Sequence, residues 1–111
     1  GPLIGGVAHD EFWVLYLNNA NKVIHKARLS SGGITHTTVD VRLLFKIALE
    51  QGAVSIIAVH NHPSGSITPS KEDITLTHEI KKAGDILRIK LFDHIIITEK
   101  AYISMLEEGL F

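Results

Sequence analysis

Residues 53–73 read AVSIIAVHNHPSGSITPSKED, and the first seven set the fold class. They form a short apolar run directly after a helical segment, which reads as a buried strand at the centre of a sheet. The run ends in two histidines two residues apart, then a Pro-Ser-Gly turn, then Ser70 and Asp73. Side chains two apart on extended backbone point to the same side, so His60 and His62 aim both imidazoles at one point. Two nitrogen ligands and one carboxylate oxygen, with water in fourth place, make a catalytic zinc arrangement. Asp73 can supply that oxygen, because the turn lets the chain double back and sets it in the first turn of the next helix. The competing reading is an exposed turn followed by a capped helix. Ser70-x-x-Asp73 has the form of a capping box with aspartate in place of glutamate. Capping accounts for Ser70 by itself and does not exclude a catalytic role; the His-x-His pair with its downstream aspartate points to metal.

The flanking segments build the rest of the fold. Residues 11–17 (EFWVLYL) are aromatic and β-branched and read as a strand, residues 18–21 as a turn, and residues 22–30 as a second strand, together a hairpin. Ser31-Gly32-Gly33 breaks it. Residues 37–52 read as a helix, with Leu43, Leu44, Ile47 and Ala48 on one face, Thr37 or Thr38 as the N-cap, Asp40 in the first turn and Gly52 as the stop. A second helix runs from Ser70 through about Ala83 and is ended by Gly84. Residues 87–91 alternate and read as a strand, residues 94–98 as another, and residues 102–111 stay unassigned. The order strand, strand, helix, strand, helix, strand, strand predicts a mixed sheet flanked by helices, an α/β (α+β) fold. Ligands in such sheets bind beyond the carboxyl ends of strands, which is where His60 and His62 sit.

Composition narrows the chemistry. A chain of 111 residues, 45% hydrophobic and 21% charged, fits one globular domain over residues 1–111. Residues 1–8 read in part as a linker or a cloning remnant, and the missing initiator methionine reads as a fragment. There is no cysteine, so any zinc must be held by His, Asp or Glu, and a reducing, cytoplasmic setting is expected. The net charge of −1 argues against a large phosphate-binding surface. No apolar run approaches the ~18 residues that span a bilayer, and the N-terminus lacks the features of a signal peptide.

At this point the chain resembles a known family. His60-x-His62, seven residues, Ser70, two residues, Asp73 matches the motif of the JAMM (MPN+) metalloproteases. H-N-H-P-S-G-x-x-x-P-S-x-x-D, followed by Asp93-His94-Ile95-Ile96-Ile97 and by Tyr102-x-Ser104, is more closely similar to the RadC-like JAB domain of bacteria. The resemblance runs from Glu11 to the Tyr102 region. It implies a JAB/MPN-like (cytidine-deaminase-like) sandwich, with one Zn2+ per chain on His60, His62 and Asp73 and with Ser70 stabilising an oxyanion. It also implies an upstream glutamate hydrogen-bonded to the zinc-bound water. Glu11 is the candidate, since it opens the first strand in an E-x-F pattern; Glu50 and Asp10 compete. Asn61 stands where many JAMM peptidases carry Ser or Thr, and agrees with the RadC-like subgroup. The implied function is a zinc-dependent hydrolase, a metallopeptidase cleaving a peptide or isopeptide bond in an unknown peptide or protein. The alternative is a metal-binding accessory module of a DNA repair or recombination protein, with DNA reached through an N-terminal helix-hairpin-helix region absent from this sequence. The hairpin leaves room for a homodimer.

Other residues carry weaker readings. Asp93 is a candidate acceptor for the second N–H of a zinc-bound histidine, or a substrate contact together with His94; a strand-end Asp beside a partly buried His is the plain alternative. His9, His25, His36 and His78 lack ligand spacing to one another, and Trp13 and Tyr16 read as core. Lys81-Lys82 and Arg88 with Lys90 read as solvated faces. The adjacent letters H-N-H do not make the dispersed constellation of HNH nucleases, and no G-x-S-x-G elbow is present.

Overall fold

The computed structural model describes residues 11–31, 39–62 and 65–111. Strands β1 (Glu11–Leu17) and β2 (Val23–Ser31) form the expected hairpin. Its turn is closed by Asn18, whose Oδ1 accepts the N–H groups of Ala20 and Lys22. Helix α1 (Val41–Gln51), strand β3 (Ser55–Asn61), helix α2 (Lys71–Leu87), strand β4 (Lys90–Ile97) and strand β5 (Tyr102–Ser104) follow. The strands make one sheet in the order β2-β1-β3-β4-β5. Only β3 and β4 run parallel, joined by α2 as crossover. This is a mixed five-stranded sheet with two helices, an α/β fold, and the 53–59 run supplies its central strand.

Alternation along the strands decides what the core receives. Phe12, Val14 and Tyr16 of β1 and Ile56 and Ala58 of β3 are wholly buried, and they merge with Leu44, Phe45 and Ala48 of α1 and Ile80 of α2. Tyr16 Oη donates to the Leu44 carbonyl at 2.9 Å, which ties α1 to the sheet. On the other side of β1 and β3, Trp13, Leu15 and Ile57 are half-buried. No helix among the described residues is long and apolar enough to cross a membrane.

Several boundaries differ from the sequence expectation. Asp40 is the N-cap of α1, with Oδ1 accepting from Arg42 and Leu43 N–H, and so stands before the first turn instead of in it. Thr37 and Thr38 lie outside the described residues. Helix α2 does not stop at Gly84 but continues to Leu87 and ends on Arg88 in the left-handed region, φ 61°. Gly84 is there for space, since a Cβ on it would stand 2.3 Å from the Ile89 carbonyl oxygen. The expected strands at 87–91 and 94–98 are one strand, β4. Leu91 faces Ile56 and Asp93 faces Ile57, so Phe92 is an extra residue in a bulge, and a bulge breaks the alternation that sequence reading follows. The seventh element is β5, a three-residue edge strand within the unassigned tail.

Candidate metal centre

Strand β3 delivers His60 between two neighbours, opposite Phe12 of β1 and Ile96 of β4. His62 follows the strand end, and its N–H still reaches the Ile97 carbonyl at 3.0 Å. Gly65, at φ 85°, then turns the chain, with its N–H on the His62 carbonyl at 3.1 Å. Ser70 caps α2. Its Oγ accepts the Asp73 N–H at 3.0 Å, and its own N–H donates to Asp73 Oδ2 at 2.8 Å. That reciprocal capping box is formed, and it fixes the Asp73 carboxylate at the helix start, 3% exposed.

The carboxylate faces both histidines. Asp73 Oδ1 is 2.8 Å from His60 Nδ1, and Oδ2 is 3.1 Å from His62 Nε2. The two imidazoles stand edge to face with ring centres 4.8 Å apart. Two imidazoles on one tetrahedral zinc, with Zn–N bonds of about 2.0–2.1 Å, have their ring centres about 5 Å apart. The pair is therefore already at ligand spacing.

Hydrogen positions sharpen the fit. His62 Nδ1 lies 2.9 Å from the Ser66 carbonyl, which can only accept, so Nδ1 carries the hydrogen. A neutral His62 then turns the lone pair of Nε2 toward a carboxylate oxygen. Only a cation between them, a proton or a metal ion, makes that approach favourable. Burial pushes the Asp73 carboxyl up, but the hydrogen bonds from His60, His62 and the Ser70 N–H, with the charge on His60, outweigh it and hold the group well below the usual carboxylate range. The donors thus suit a metal ion: two nitrogens and an ionised oxygen.

A third histidine lies beside them. His94 of β4 pairs with Ala58 and is fully buried. His60, Asp73 and His94 each offer a ligand atom within 4.8 Å of the other two. Two donor triads therefore share His60 and Asp73, one completed by His62 and one by His94. The ring centres of His60 and His94 are 6.4 Å apart, so the His62 triad fits a single ion with less movement. Burial pulls the His94 imidazole down to about 4, His60 adding to the effect and Asp73 opposing it, and the ring is neutral near pH 7.

The remaining sequence candidates take distinct places. Ser70 is the N-cap and is exposed at the rim. Glu11 is buried at 5% exposure, with Oε1 accepting from Trp13 Nε1 at 3.0 Å and Oε2 from Arg28 at 3.2 Å. Alternation puts it with Trp13, on the face opposite Phe12, whose ring packs on His60 and His94. The structure thus brings His60, His62 and Asp73 together, and Trp13 and Arg28 hold the Glu11 carboxylate. Its main chain stays close, because the Glu11 N–H donates to Asn61 Oδ1. Glu50 is exposed near the end of α1; Asp10, His9 and His36 lie outside the described residues. His25 packs on Tyr16, and His78 is exposed.

Asp93 does not hold a ligand histidine by its ring. Its Oδ1 accepts the N–H groups of His94 and Leu106, and its Oδ2 the Ser104 hydroxyl, so it fastens the chain after β5. The sequence expectation noted Asn61 only as a departure from the JAMM pattern and passed over Thr77. Thr77 stands one turn after Asp73 and connects its carbonyl to His94; the i, i+4 spacing was visible, its histidine partner was not.

Comparison with known proteins agrees over nearly the whole chain. A family model described as the RadC-like JAB domain matches residues 2–110. A UPF0758 protein of Flavobacterium johnsoniae is 58% identical over 110 residues, covering 99% of this chain and 48% of its own length. UPF0758 proteins of Porphyromonas gingivalis and Carboxydothermus hydrogenoformans are 44% identical over 110 residues and 47% over 108, covering 98% and 97% of this chain and 48% of each relative. The chain spans about half the length of the curated relatives it matches. The family match reaches almost from end to end and takes in the histidine pair and the carboxylate alike, and on it this protein belongs to the RadC-like JAB domain family.

Proposed function

We propose that this domain is a zinc-dependent hydrolase of the JAMM type, a metallopeptidase that cleaves a peptide or isopeptide bond. The observation that carries the reading is the Asp73 carboxylate facing His60 Nδ1 and His62 Nε2 at the carboxyl end of the central strand. His60, His62 and Asp73 would hold the ion. Bound zinc supplies a Lewis acid and lowers the pKa of a water to about 7. Ser70 Oγ is already an acceptor for the Asp73 N–H, so its O–H can donate to the oxygen of a substrate carbonyl as charge develops there. Glu11 would take the proton from the attacking water and return it to the leaving amine. Its carboxylate is paired with Arg28 at 3.2 Å and would exchange that partner for the water to act.

One observation favours a second reading, a metal-binding accessory module without peptidase activity. The Glu11 carboxylate is engaged by Trp13 and Arg28. A peptide-library assay on zinc-loaded chain separates the two. Hydrolysis that disappears in Glu11→Gln while zinc is retained supports the hydrolase. No hydrolysis of any peptide by zinc-loaded wild type supports the accessory module.

A further inference from the structure

His94 is the buried polar group that this chemistry leaves unused. Thr77 fixes its tautomer. The Thr77 hydroxyl has one hydrogen and stands 2.6 Å from the Asp73 carbonyl oxygen, which can only accept. His94 Nδ1 lies 2.5 Å from the same hydroxyl oxygen and must therefore be the donor. With its hydrogen on Nδ1, the ring keeps a lone pair on Nε2. That atom is buried and has no hydrogen-bond partner among the described residues. An acceptor in this state has lost its water without gaining a partner.

We infer that His94 is a third histidine ligand of the metal at this site, bound through Nε2. The inference rests on the metal-binding reading above and deepens it. Placement supports it: a His94 ligand atom is within 4.8 Å of those of His60 and Asp73. The rigid parallel pairing of β3 and β4 sets His94 beside Ala58, two residues below His60. Ring centres 6.4 Å apart need to close by about 1 Å to reach the spacing of two imidazoles on one zinc. The role of Thr77 is then that of an outer partner, holding the far ring nitrogen as ligand histidines require. With His60, His62 and Asp73, His94 would offer the ion three nitrogens and one carboxylate from the protein.

Long-range proton–nitrogen NMR of the histidine rings tests this on 15N-labelled chain freed of metal and titrated with zinc. The expected result is that His94 Nε2 moves to the metal-bound range together with one nitrogen each of His60 and His62. His94→Gln should then weaken zinc binding about tenfold or more in competition with a chromophoric chelator. If the His60 and His62 nitrogens move and His94 Nε2 does not, the third ligand is refuted and the two-histidine site stands. If no histidine nitrogen moves, the metal reading fails and the inference with it. The wild-type titration decides the matter even if the variant does not fold.

Discussion

Asp73 Oδ2 accepts the Ser70 N–H while both carboxylate oxygens face histidine nitrogens. The two roles of this side chain separate by substitution. Asp73→Asn keeps an oxygen for the cap and loses the charge, so zinc affinity should fall at least about 100-fold, and metal-free protein should lose only the stability that the charge gains from the histidines. Asp73→Ala removes the cap as well and should cost about 2 kcal/mol in urea unfolding. Equal stability of the two variants would count against the capping box. His94 sets a pH dependence. Its folded pKa lies below its unfolded value of 6.5, at about 4, so the unfolded chain binds the proton first as pH falls. The contribution to stability is complete above pH 6.5 and is lost on descending toward pH 4. At about 1.4 kcal/mol per unit this is on the order of a few kcal/mol. Urea midpoints of metal-free protein between pH 7 and 4.5 should show the decline, and His94→Gln should flatten it.

Among the elements, α2 shows where local sequence signals misread structure. Glycine after a periodic run ordinarily marks a helix end, yet Gly84 is inside α2 and gives way to the Ile89 backbone 2.3 Å from where a Cβ would stand. Gly84→Ala should therefore destabilise despite the better helix propensity of alanine, worth about 1 kcal/mol; a net loss above about 2 kcal/mol in urea unfolding is expected, and a gain would refute the close approach. The true end, Arg88 at φ 61°, carries a conformation that favours glycine. Arg88→Gly should stabilise by up to about 1 kcal/mol in the same assay. Strand β3 was legible because an apolar run ending in His-x-His has few other interpretations. Strand β4 read as two pieces because its bulge at Phe92 breaks the period of two.

On the scale of the whole molecule, the site depends on contacts that sequence distance hides. His60, His62 and Asp73 lie within 14 residues, joined by one turn and one cap, and their convergence was readable from spacing and from family resemblance. His94 joins them only because β4 returns parallel to β3 with Ala58 beside it. Thr77 meets His94 only because α2 crosses over that pair of strands. Such long-range contacts leave no local pattern. Glu11 shows the converse: it was placed by strand pattern, and its carboxylate went to Trp13 and Arg28.

The central claim is that β3 and α2 build a metal site, and bound metal per chain tests it most directly. Elemental analysis would be made on protein purified without chelator, with His60→Ala in parallel. The account predicts about one zinc per wild-type chain and little in the variant. Wild-type protein that stays metal-free after zinc is added, or a His60→Ala protein that retains the ion, would contradict it.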